Sequence, residues 1–229
     1  MTKRFAIYYA PAESSPLSRL AASWLGRDAF RGPCPPETVL NGFTGEVWRA
    51  ATADPRVYGF HATLKPPFRL SDPATEPDLF RGLQDFAATQ RSFEAPCLKV
   101  SPLSAFLALT LSEPCPTFEA LAADCVREFD SFRAPPTDEE LARRRISRLS
   151  ARQIEYLHRW GYPYVMDEWR FHMTLTSSLE SPLLQTVQVH LEDLFSPYCR
   201  APLMVDSICL FEQPGPGQPF HVAERFGLS

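Results

Sequence analysis

The hydrophobic positions of the chain follow two periods, and their order along the sequence predicts the fold class. Apolar residues alternate with period two over residues 5–9, which predicts a strand. They recur at i, i+3, i+4 and i+7 over residues 16–25, which predicts a helix. Ser15 is the expected N-cap of this helix, and Gly26 is its expected C-terminal stop. The chain therefore opens with a strand followed by an amphipathic helix.

Similar patterns continue to the end of the chain. Residues 27–58 are rich in Pro and Gly and predict a loop with one short helix near residues 44–51. The later segments predict, in order, a helix over 75–90, strands over 98–100 and 105–111, a helix over 118–129, helices opening at the capping boxes of Thr137 and Ser150, a helix capped by Ser181-Pro182, and strands over 203–211 and 220–226. Strands twice follow one another without a helix between them. This order favours an α+β fold with antiparallel pairing over a doubly wound parallel sheet.

The composition sets the size and the class of the protein. With 229 residues, 45% hydrophobic and 22% charged, the chain can bury a substantial core, and we expect one compact domain over residues 1–229 made of two closely packed lobes. The chain has 23 Lys and Arg against 27 Asp and Glu, a formal charge of −4. It therefore lacks the basic footprint of a protein that grips long nucleic acid by its phosphates. We expect any phosphorylated partner to be small.

Several common kinds of site are not signalled by the sequence. The six cysteines form no C-x-x-C pair and have no close histidine, which indicates buried thiols rather than a zinc or redox site. Glycine-rich loops of the G-x-G-x-x-G and G-x-x-x-x-G-K-[ST] types do not occur, so nucleotide-cradling loops are not supported. The apolar stretch after the basic N-terminus is too short for a signal-peptide core. These features predict a cytoplasmic protein with no membrane partner.

One short pattern occurs twice, Phe-His-x-Thr-Leu at residues 60–64 and again at residues 171–175. With this composition the pattern is expected at a given position with a probability of about 10⁻⁵, so two copies indicate an internal repeat. The two histidines, His61 and His172, lie about half the chain apart. We therefore expect each lobe to contribute one His-x-Thr motif at an equivalent, pseudo-symmetric point.

Both copies have the period of a strand. Apolar residues alternate with His61 and Thr63 in the first copy, and with His172 and Thr174 in the second. Each histidine therefore shares a strand face with its threonine, roughly 7 Å away at about 3.3 Å per residue. A phosphate between the two side chains can contact both of them.

This arrangement suits the hydrolysis of a phosphodiester. Such a reaction needs one group that takes a proton from the attacking oxygen and another that gives a proton to the leaving oxygen, whereas core packing does not require the same polar pair twice. Imidazole, with an ordinary pKa of ~6.5, can take either role. The sequence therefore predicts His61 and His172 as catalytic residues, and Thr63 and Thr174 as phosphate-binding residues. It leaves open which histidine is the acid, and it predicts a bell-shaped pH profile.

The paired motifs resemble the two-histidine phosphoesterase superfamily, which includes RNA cyclic phosphodiesterases and 2′,5′ RNA ligase-like proteins. Longer blocks resemble the branch of this superfamily that is encoded in bacterial phosphonate-utilisation operons. These blocks span most of the chain; they are residues 24–28, 58–68, 132–135, 159–165 and 171–176.

The resemblance implies a fold, a mechanism and a substrate class. The fold is a bilobed, duplicated α+β structure in which two antiparallel sheets flank a central groove and helices lie outside. The mechanism requires no metal and no cofactor. The operon context of the branch suggests a cyclic sugar phosphate as the substrate, such as 5-phosphoribosyl 1,2-cyclic phosphate.

Four further side chains are candidates for substrate binding. Lys65 directly follows the first motif and is expected on the face of its histidine. Tyr8 is expected on the groove side of the first strand, whereas Tyr9 is expected in the core. Tyr164 lies in the Gly-Tyr-Pro-Tyr loop before the second motif, and Arg133 can attract an anion. The ordinary alternatives are an exposed strand cation, a loop anchor and a solvated surface arginine.

The function predicted from the sequence is metal-independent hydrolysis of a small cyclic phosphodiester. Two alternatives stay open. One is an RNA-end-processing 2′,3′-cyclic phosphodiesterase, which would need a basic groove and stacking aromatic residues. The other is a non-catalytic protein that binds a phosphorylated ligand in the same groove. The sequence does not predict the oligomeric state.

Overall fold

A computed structural model describes residues 3–34, 45–137 and 149–229. The helices of this part of the chain are α1 (Pro16–Leu25), α2 (Gly45–Ala51), α3 (Ala53–Tyr58), α4 (Glu76–Thr89), α5 (Pro116–Glu128), α6 (Ala151–Trp160) and α7 (Leu183–Phe195). Its strands are β1 (Arg4–Tyr9), β2 (Arg27–Asp28), β3 (Gly32–Pro33), β4 (Ala62–Phe68), β5 (Phe93–Leu103), β6 (Phe106–Leu111), β7 (Met173–Thr174), β8 (Pro202–Val205), β9 (Ser207–Gln213) and β10 (His221–Gly227).

Eight of the strands form one antiparallel sheet in the order β10-β9-β1-β4-β7-β6-β5-β8. Its two halves, β10-β9-β1-β4 and β7-β6-β5-β8, meet where Ala62 of β4 pairs with Met173 of β7. The two sheets expected from the sequence are these two four-stranded halves. The α+β class with antiparallel pairing is confirmed.

The main hydrophobic core draws residues from both halves of the sheet and from the helices that cover it. Helix α5 packs on β4, and α7 packs on β5 and β6. Phe118 of α5 and Val187 of α7 are both fully buried in this core. A smaller apolar cluster lies around Tyr8 and includes Phe211 and Phe220. The sheet therefore buries side chains on both faces in its first half.

The end signals of several helices act as the sequence predicts. The Ser15 hydroxyl accepts a hydrogen bond from the backbone N–H of Ser18, and Gly26 ends α1 with a φ of 72°. Ser150 and Gln153 form a reciprocal capping box at the start of α6, and Gly161 ends that helix with a φ of 73°.

Other boundaries differ from the sequence-based expectations. Helix α3 occupies part of the expected loop, and the single strand expected over residues 203–211 is divided at Asp206 into β8 and β9. Helix α7 begins at Leu183 without a side-chain cap, so the cap predicted at Ser181 is wrong. The helix predicted at the Thr137 capping box lies outside the described residues beyond position 137.

Among the described residues, no helix combines the length and the apolar character needed to cross a bilayer.

Candidate active site

The pairing of β4 with β7 brings the two His-x-Thr motifs together. Ala62 and Met173 are paired and fully buried, so the residues that flank them point to the opposite face. Antiparallel register places His61 beside Thr174 and Thr63 beside His172, with directly opposite Cβ atoms about 4.5–5.5 Å apart. The four polar side chains are thus arranged with approximate two-fold symmetry around one residue pair.

These four side chains line a single cavity of about 210 Å³. The lining residues come from both halves of the sheet and from two loops; they are Tyr8, Tyr58, His61, Thr63, Pro66, Pro67, Tyr162, His172 and Thr174. A larger cavity of about 560 Å³ lies near the ends of β5 and β6 and contains neither histidine. We therefore place the candidate active site in the smaller cavity.

Both imidazoles are held by the same kind of hydrogen bond. The Nδ1 atom of His61 lies 2.9 Å from the carbonyl oxygen of Gly59, and Nδ1 of His172 lies 2.9 Å from that of Arg170. A carbonyl oxygen can only accept, so Nδ1 must carry the proton in both rings. In the neutral ring Nε2 is then the proton acceptor, and the Thr63 hydroxyl donates to Nε2 of His61 across 3.3 Å.

The backbone that holds His61 depends on a glycine. Gly59 has a φ of 79°, and a Cβ at this position would lie 2.6 Å from the Cβ of Ala29. Any other residue would have to shift this segment. Since its carbonyl oxygen holds His61, Gly59 links the conformation of the loop to the orientation of the imidazole.

His61 lies in an apolar environment. The ring of Tyr8 stacks on it with centroids 3.8 Å apart, and Tyr58 and Phe211 lie about 6 Å away. Burial lowers the pKa of His61 to about 4, the Gly59 carbonyl opposes this shift, and the nearby His172 adds to it. His61 is therefore neutral at pH 7 and ready to accept a proton.

Of the two adjacent tyrosines in β1, the structure places Tyr8 in the cavity and Tyr9 in the core. Tyr9 packs edge-on against Phe118, and its hydroxyl donates to the carbonyl oxygen of Met204 across 3.0 Å. This division agrees with the sequence-based expectation for both residues.

Lys65 does not reach the cavity, which corrects the sequence-based expectation. The β1–β4 register pairs Tyr8 with Thr63 but Ile7 with Lys65, so Leu64 is an extra residue in a β-bulge. The bulge breaks the alternation and turns Lys65 to the face of Ile7, which lies in the main core. Strict period two predicted the wrong face because the bulge has no sequence signal here.

The ammonium group of Lys65 is instead a buried structural cation. Lys65 is 1% exposed, its Nζ donates to the carbonyl oxygen of Val126 across 3.1 Å, and it lies 3.6 Å from a carboxylate oxygen of Asp130. Burial lowers the pKa of Lys65 to about 8, while Asp130 opposes that shift. The side chain therefore ties β4 to the C-terminal end of α5.

This placement makes a testable prediction. The Lys65→Met variant keeps the apolar stem but leaves the Val126 carbonyl without its donor, so we expect a free energy of unfolding lower by ~1–3 kcal/mol and an unchanged kcat. Urea unfolding and steady-state kinetics measure the two effects. The exposed Lys99 gives the matched control, since Lys99→Met is expected to change stability by less than ~0.5 kcal/mol. A kcat loss above about tenfold in Lys65→Met with unchanged stability would contradict the structural role.

Arg133 and Tyr164 also lie outside the lining of the cavity. The Arg133 guanidinium forms an ion pair with Asp130 at 2.8 Å and donates to the carbonyl oxygen of Arg159. Tyr164 is 46% exposed and packs edge-on against Tyr162. The structure therefore does not bring either predicted residue to the candidate site, and it gives Arg133 a structural role between α5 and α6.

Four cavity residues were not singled out as binding residues from the sequence: Tyr58, Tyr162, Pro66 and Pro67. Tyr162 comes from the same Gly-Tyr-Pro-Tyr loop as Tyr164, and only the path of the loop decides which ring reaches the cavity. Tyr58 ends α3, directly before Gly59, and stacks on Phe220 with centroids 5.2 Å apart. Its place next to the first motif was a usable signal, because a residue three positions before His61 is bound to lie nearby.

No group of three or more His, Cys, Asp or Glu side chains in the described parts of the chain is placed to hold a metal ion. The expectation of a metal-independent reaction without a cofactor stays a prediction, because it needs a functional measurement.

The antiparallel α+β fold places a His-x-Thr strand from each half on one shared face, which is the arrangement that the sequence resemblance to two-histidine phosphoesterases implies. The chain belongs to the family described as "Protein of unknown function (DUF1045)", whose sequence profile matches residues 63–221.

Two curated relatives are similar to the chain over almost its whole length. Both are named "Ribose 1,5-bisphosphate phosphokinase PhnN". The protein of Janthinobacterium sp. (strain Marseille) is 39% identical, with 99% of this chain and 51% of the relative covered. That of Laribacter hongkongensis (strain HLHK9) is 34% identical, with 98% and 52% covered. The chain thus spans about half the length of these relatives.

Solved structures with a similar fold include E. coli LigT complexed with 3′-AMP and the protein TT0787 of Thermus thermophilus. LigT is 14% identical with a TM-score of 0.48, and the match covers 100% of this chain and 99% of LigT. TT0787 is 18% identical with a TM-score of 0.44, and the match covers 98% and 97%.

Proposed function

We propose that the protein hydrolyses a small cyclic phosphodiester by acid–base catalysis with His61 and His172, without a metal ion. The observation that supports this most directly is the single cavity that both His-x-Thr pairs line. Water attacks phosphorus, one imidazole takes its proton, and the other protonates the alkoxide that leaves when the P–O bond of the ring breaks. The hydroxyl of Thr174 donates to a non-bridging oxygen. The hydroxyl of Thr63 turns from Nε2 of His61 to the other non-bridging oxygen, which frees this Nε2 to accept a proton, and the two threonines hold the phosphorus between the rings.

The charge of the cavity supports a diester as the substrate. No Lys or Arg is among its lining residues in the described chain, which supply only hydroxyl groups and imidazoles. One imidazolium balances the single negative charge of a phosphodiester, whereas a phosphomonoester dianion would leave a charge without a partner. We therefore expect a diester to bind better than a monoester at the reaction centre.

The size of the cavity supports a small substrate. At about 210 Å³ it is below the ~300–1,000 Å³ typical of pockets for drug-sized ligands. A cyclic phosphate fused to a sugar ring fits this scale better than a nucleotide enclosed with its base.

The names of the curated relatives support a particular sugar. Those relatives are named as kinases of ribose 1,5-bisphosphate, yet this chain has no phosphate-cradling P-loop motif. We propose that the present chain produces ribose 1,5-bisphosphate, the compound in the names of these relatives. Opening 5-phosphoribosyl 1,2-cyclic phosphate at the bond between phosphorus and O2 yields ribose 1,5-bisphosphate, with the water oxygen on phosphorus and a proton on O2. This reaction would belong to phosphonate breakdown, as the sequence resemblance suggests.

One observation favours a second candidate, the RNA-end-processing 2′,3′-cyclic phosphodiesterase. The phenol rings of Tyr8, Tyr58 and Tyr162 border the cavity, and aromatic rings can stack on bases. Tyr8 is 1% exposed and already stacked on His61, which leaves its face unavailable to a base. Together with the small volume of the cavity, this makes the sugar phosphate the better-supported substrate.

A ³¹P NMR assay tests the proposed function. Ribose cyclic phosphates, cyclic nucleotides and RNA with a 2′,3′-cyclic end are each incubated with the protein, with and without EDTA. We expect the ribosyl 1,2-cyclic phosphate to be opened fastest, to a 1-phosphate, at a rate that EDTA does not change. Preference for RNA ends would favour the second candidate. Binding without turnover of any compound would leave a phospho-ligand binding protein, and loss of turnover with EDTA would contradict the metal-independent mechanism.

A further inference from the structure

The two halves of the candidate site differ at one equivalent position. On the first half, Thr63 of β4 pairs with Tyr8 of β1. On the second half, Thr174 of β7 pairs with Ala108 of β6. The local two-fold arrangement around Ala62 and Met173 therefore places a tyrosine beside one His-x-Thr pair and an alanine beside the other.

The Tyr8 ring covers one face of His61. The ring centroids are 3.8 Å apart with an interplanar angle of 22°, and Tyr8 is itself held by Phe211 at 4.8 Å and Phe220 at 6.3 Å. On the other half, Phe106 lies 6.2 Å from His172 at 56° and does not stack on it. His61 is thus covered by a fixed aromatic surface, and no ring in the described parts of the chain covers His172 in the same way.

The Nδ1 hydrogen bonds do not distinguish the two histidines. Both rings donate from Nδ1 to the carbonyl oxygen two residues earlier, at the same distance of 2.9 Å. Two features distinguish His61: the Thr63 hydroxyl donates to its Nε2, and the Tyr8 ring covers one of its faces. Tyr8 is the residue whose change would remove the cover and make the two halves more alike.

The titratable groups around His61 are few. Tyr8 faces it from β1, Tyr58 from α3, Tyr162 from the loop after α6 and His172 from β7, whereas β9 contributes the apolar Phe211. No Asp or Glu of the described chain lines the cavity. No carboxylate stabilises an imidazolium here. The desolvation of His61 beneath the Tyr8 ring therefore decides its charge state, as the lowered pKa of His61 indicates.

We propose that Tyr8 is a positioning residue that keeps His61 neutral, so that His61 takes the proton from the attacking water and His172 protonates the leaving oxygen. This assignment rests on the proposed hydrolysis, but the effect of Tyr8 on His61 does not. Tyr8 acts through the imidazole, and its phenol has no need to contact the substrate. The unequal halves give a nearly symmetric site a fixed direction of proton transfer.

The first test follows the histidine rings of the free protein by NMR between pH 3.5 and 8.5, a range set around the pKa of about 4 for His61. His61→Gln identifies the signal of His61. We expect this signal to titrate near pH 4 in the unchanged protein and in Tyr8→Phe, which keeps the ring. In Tyr8→Ala, water reaches His61 and the midpoint moves up towards ~6.5. An unchanged midpoint in Tyr8→Ala would overturn the proposal.

Circular dichroism checks that Tyr8→Ala is folded. If it is not, Tyr8→Leu keeps apolar volume without a flat ring, and we expect a smaller upward shift there. No shift in a folded Tyr8→Leu protein would then overturn the proposal.

The second test is the pH dependence of kcat/KM. At pH 5 a His61 with a pKa of ~6.5 is only about 3% neutral. The kcat/KM of Tyr8→Ala at pH 5 is therefore expected to lie ~30-fold below the plateau that the same variant reaches at higher pH. The unchanged protein and Tyr8→Phe are expected to stay near their plateaus at this pH. An equal loss at every pH would indicate a merely structural role. A shift of the NMR midpoint without hydrolysis of any cyclic phosphate would contradict the proposed function and leave the role of Tyr8 intact.

Discussion

Replacing His61 or His172 with alanine is expected to lower kcat by ~10²–10⁴ while the protein stays folded. Each change removes one of the two proton transfers that the reaction needs. Both imidazoles are partly exposed at the cavity, so their removal is expected to leave the main core intact. Steady-state kinetics on the cyclic phosphate measure the effect, and circular dichroism measures the fold.

Two comparisons sharpen this prediction. The double variant is expected to lose little more than the worse single variant, because the acid and the base act as a unit. His158→Ala is the matched control, since His158 is exposed on α6 and does not line the cavity. Equal losses in His158→Ala and in either cavity variant, or a kcat within about tenfold of the unchanged protein for His61→Ala, would contradict the catalytic roles.

Removing either cavity threonine hydroxyl is expected to have the next largest effect. Thr63→Val and Thr174→Val keep the shape of the side chain but remove a donor to the phosphate oxygens, which gain charge as water attacks. We expect kcat to fall by ~10² in each variant, in the range found for the loss of one donor to a developing oxyanion. Initial rates at saturating substrate measure this loss.

The serine variants separate the hydroxyl from the methyl group. Thr63→Ser and Thr174→Ser keep the donor, so their kcat is expected to stay within about tenfold of the unchanged protein. Thr110→Val is the control on the neighbouring half, because Thr110 bonds to Ser101 and lines the other cavity. If the valine and serine variants lose kcat to the same extent, the hydroxyls do not bind the phosphate in the transition state.

The local part of the structure could be predicted from the sequence. The cap at Ser15, the stop at Gly26 and the capping box of α6 are local signals, because each joins residues within one turn of helix. The common face of His61 and Thr63 also follows from a local rule, the period of a strand. Features of this kind agree with the structure.

The non-local part could not be predicted in the same way. The pairing of Ala62 with Met173 joins residues about half the chain apart, and only the duplicated motif pointed to it. The bulge at Leu64 depends on how β4 fits against β1, so the face of Lys65 was assigned wrongly. The choice between Tyr162 and Tyr164 depends on the path of a loop, which no period describes.

The curated relatives are about twice as long as this chain, and their names point to the product of the proposed reaction. This chain matches about half of each relative, the relatives are named as kinases, and the sequence of this chain contains no P-loop motif. Under the proposed function, ring opening in the present cavity would yield ribose 1,5-bisphosphate, the compound in the relatives' names. The ³¹P NMR assay decides this point, because only cleavage at O2 leaves the phosphate on the first carbon.

The most direct test of the division of labour between the two imidazoles uses the leaving group. The kcat values of His61→Ala and His172→Ala are compared on the cyclic phosphate, which releases an alkoxide, and on a 4-nitrophenyl phosphodiester, whose leaving group needs no proton. We predict that His172→Ala loses ~10²–10⁴ on the first substrate but less than about tenfold on the second, whereas His61→Ala loses heavily on both. Equal losses of His172→Ala on the two substrates would contradict an acid and a base facing each other across this cavity.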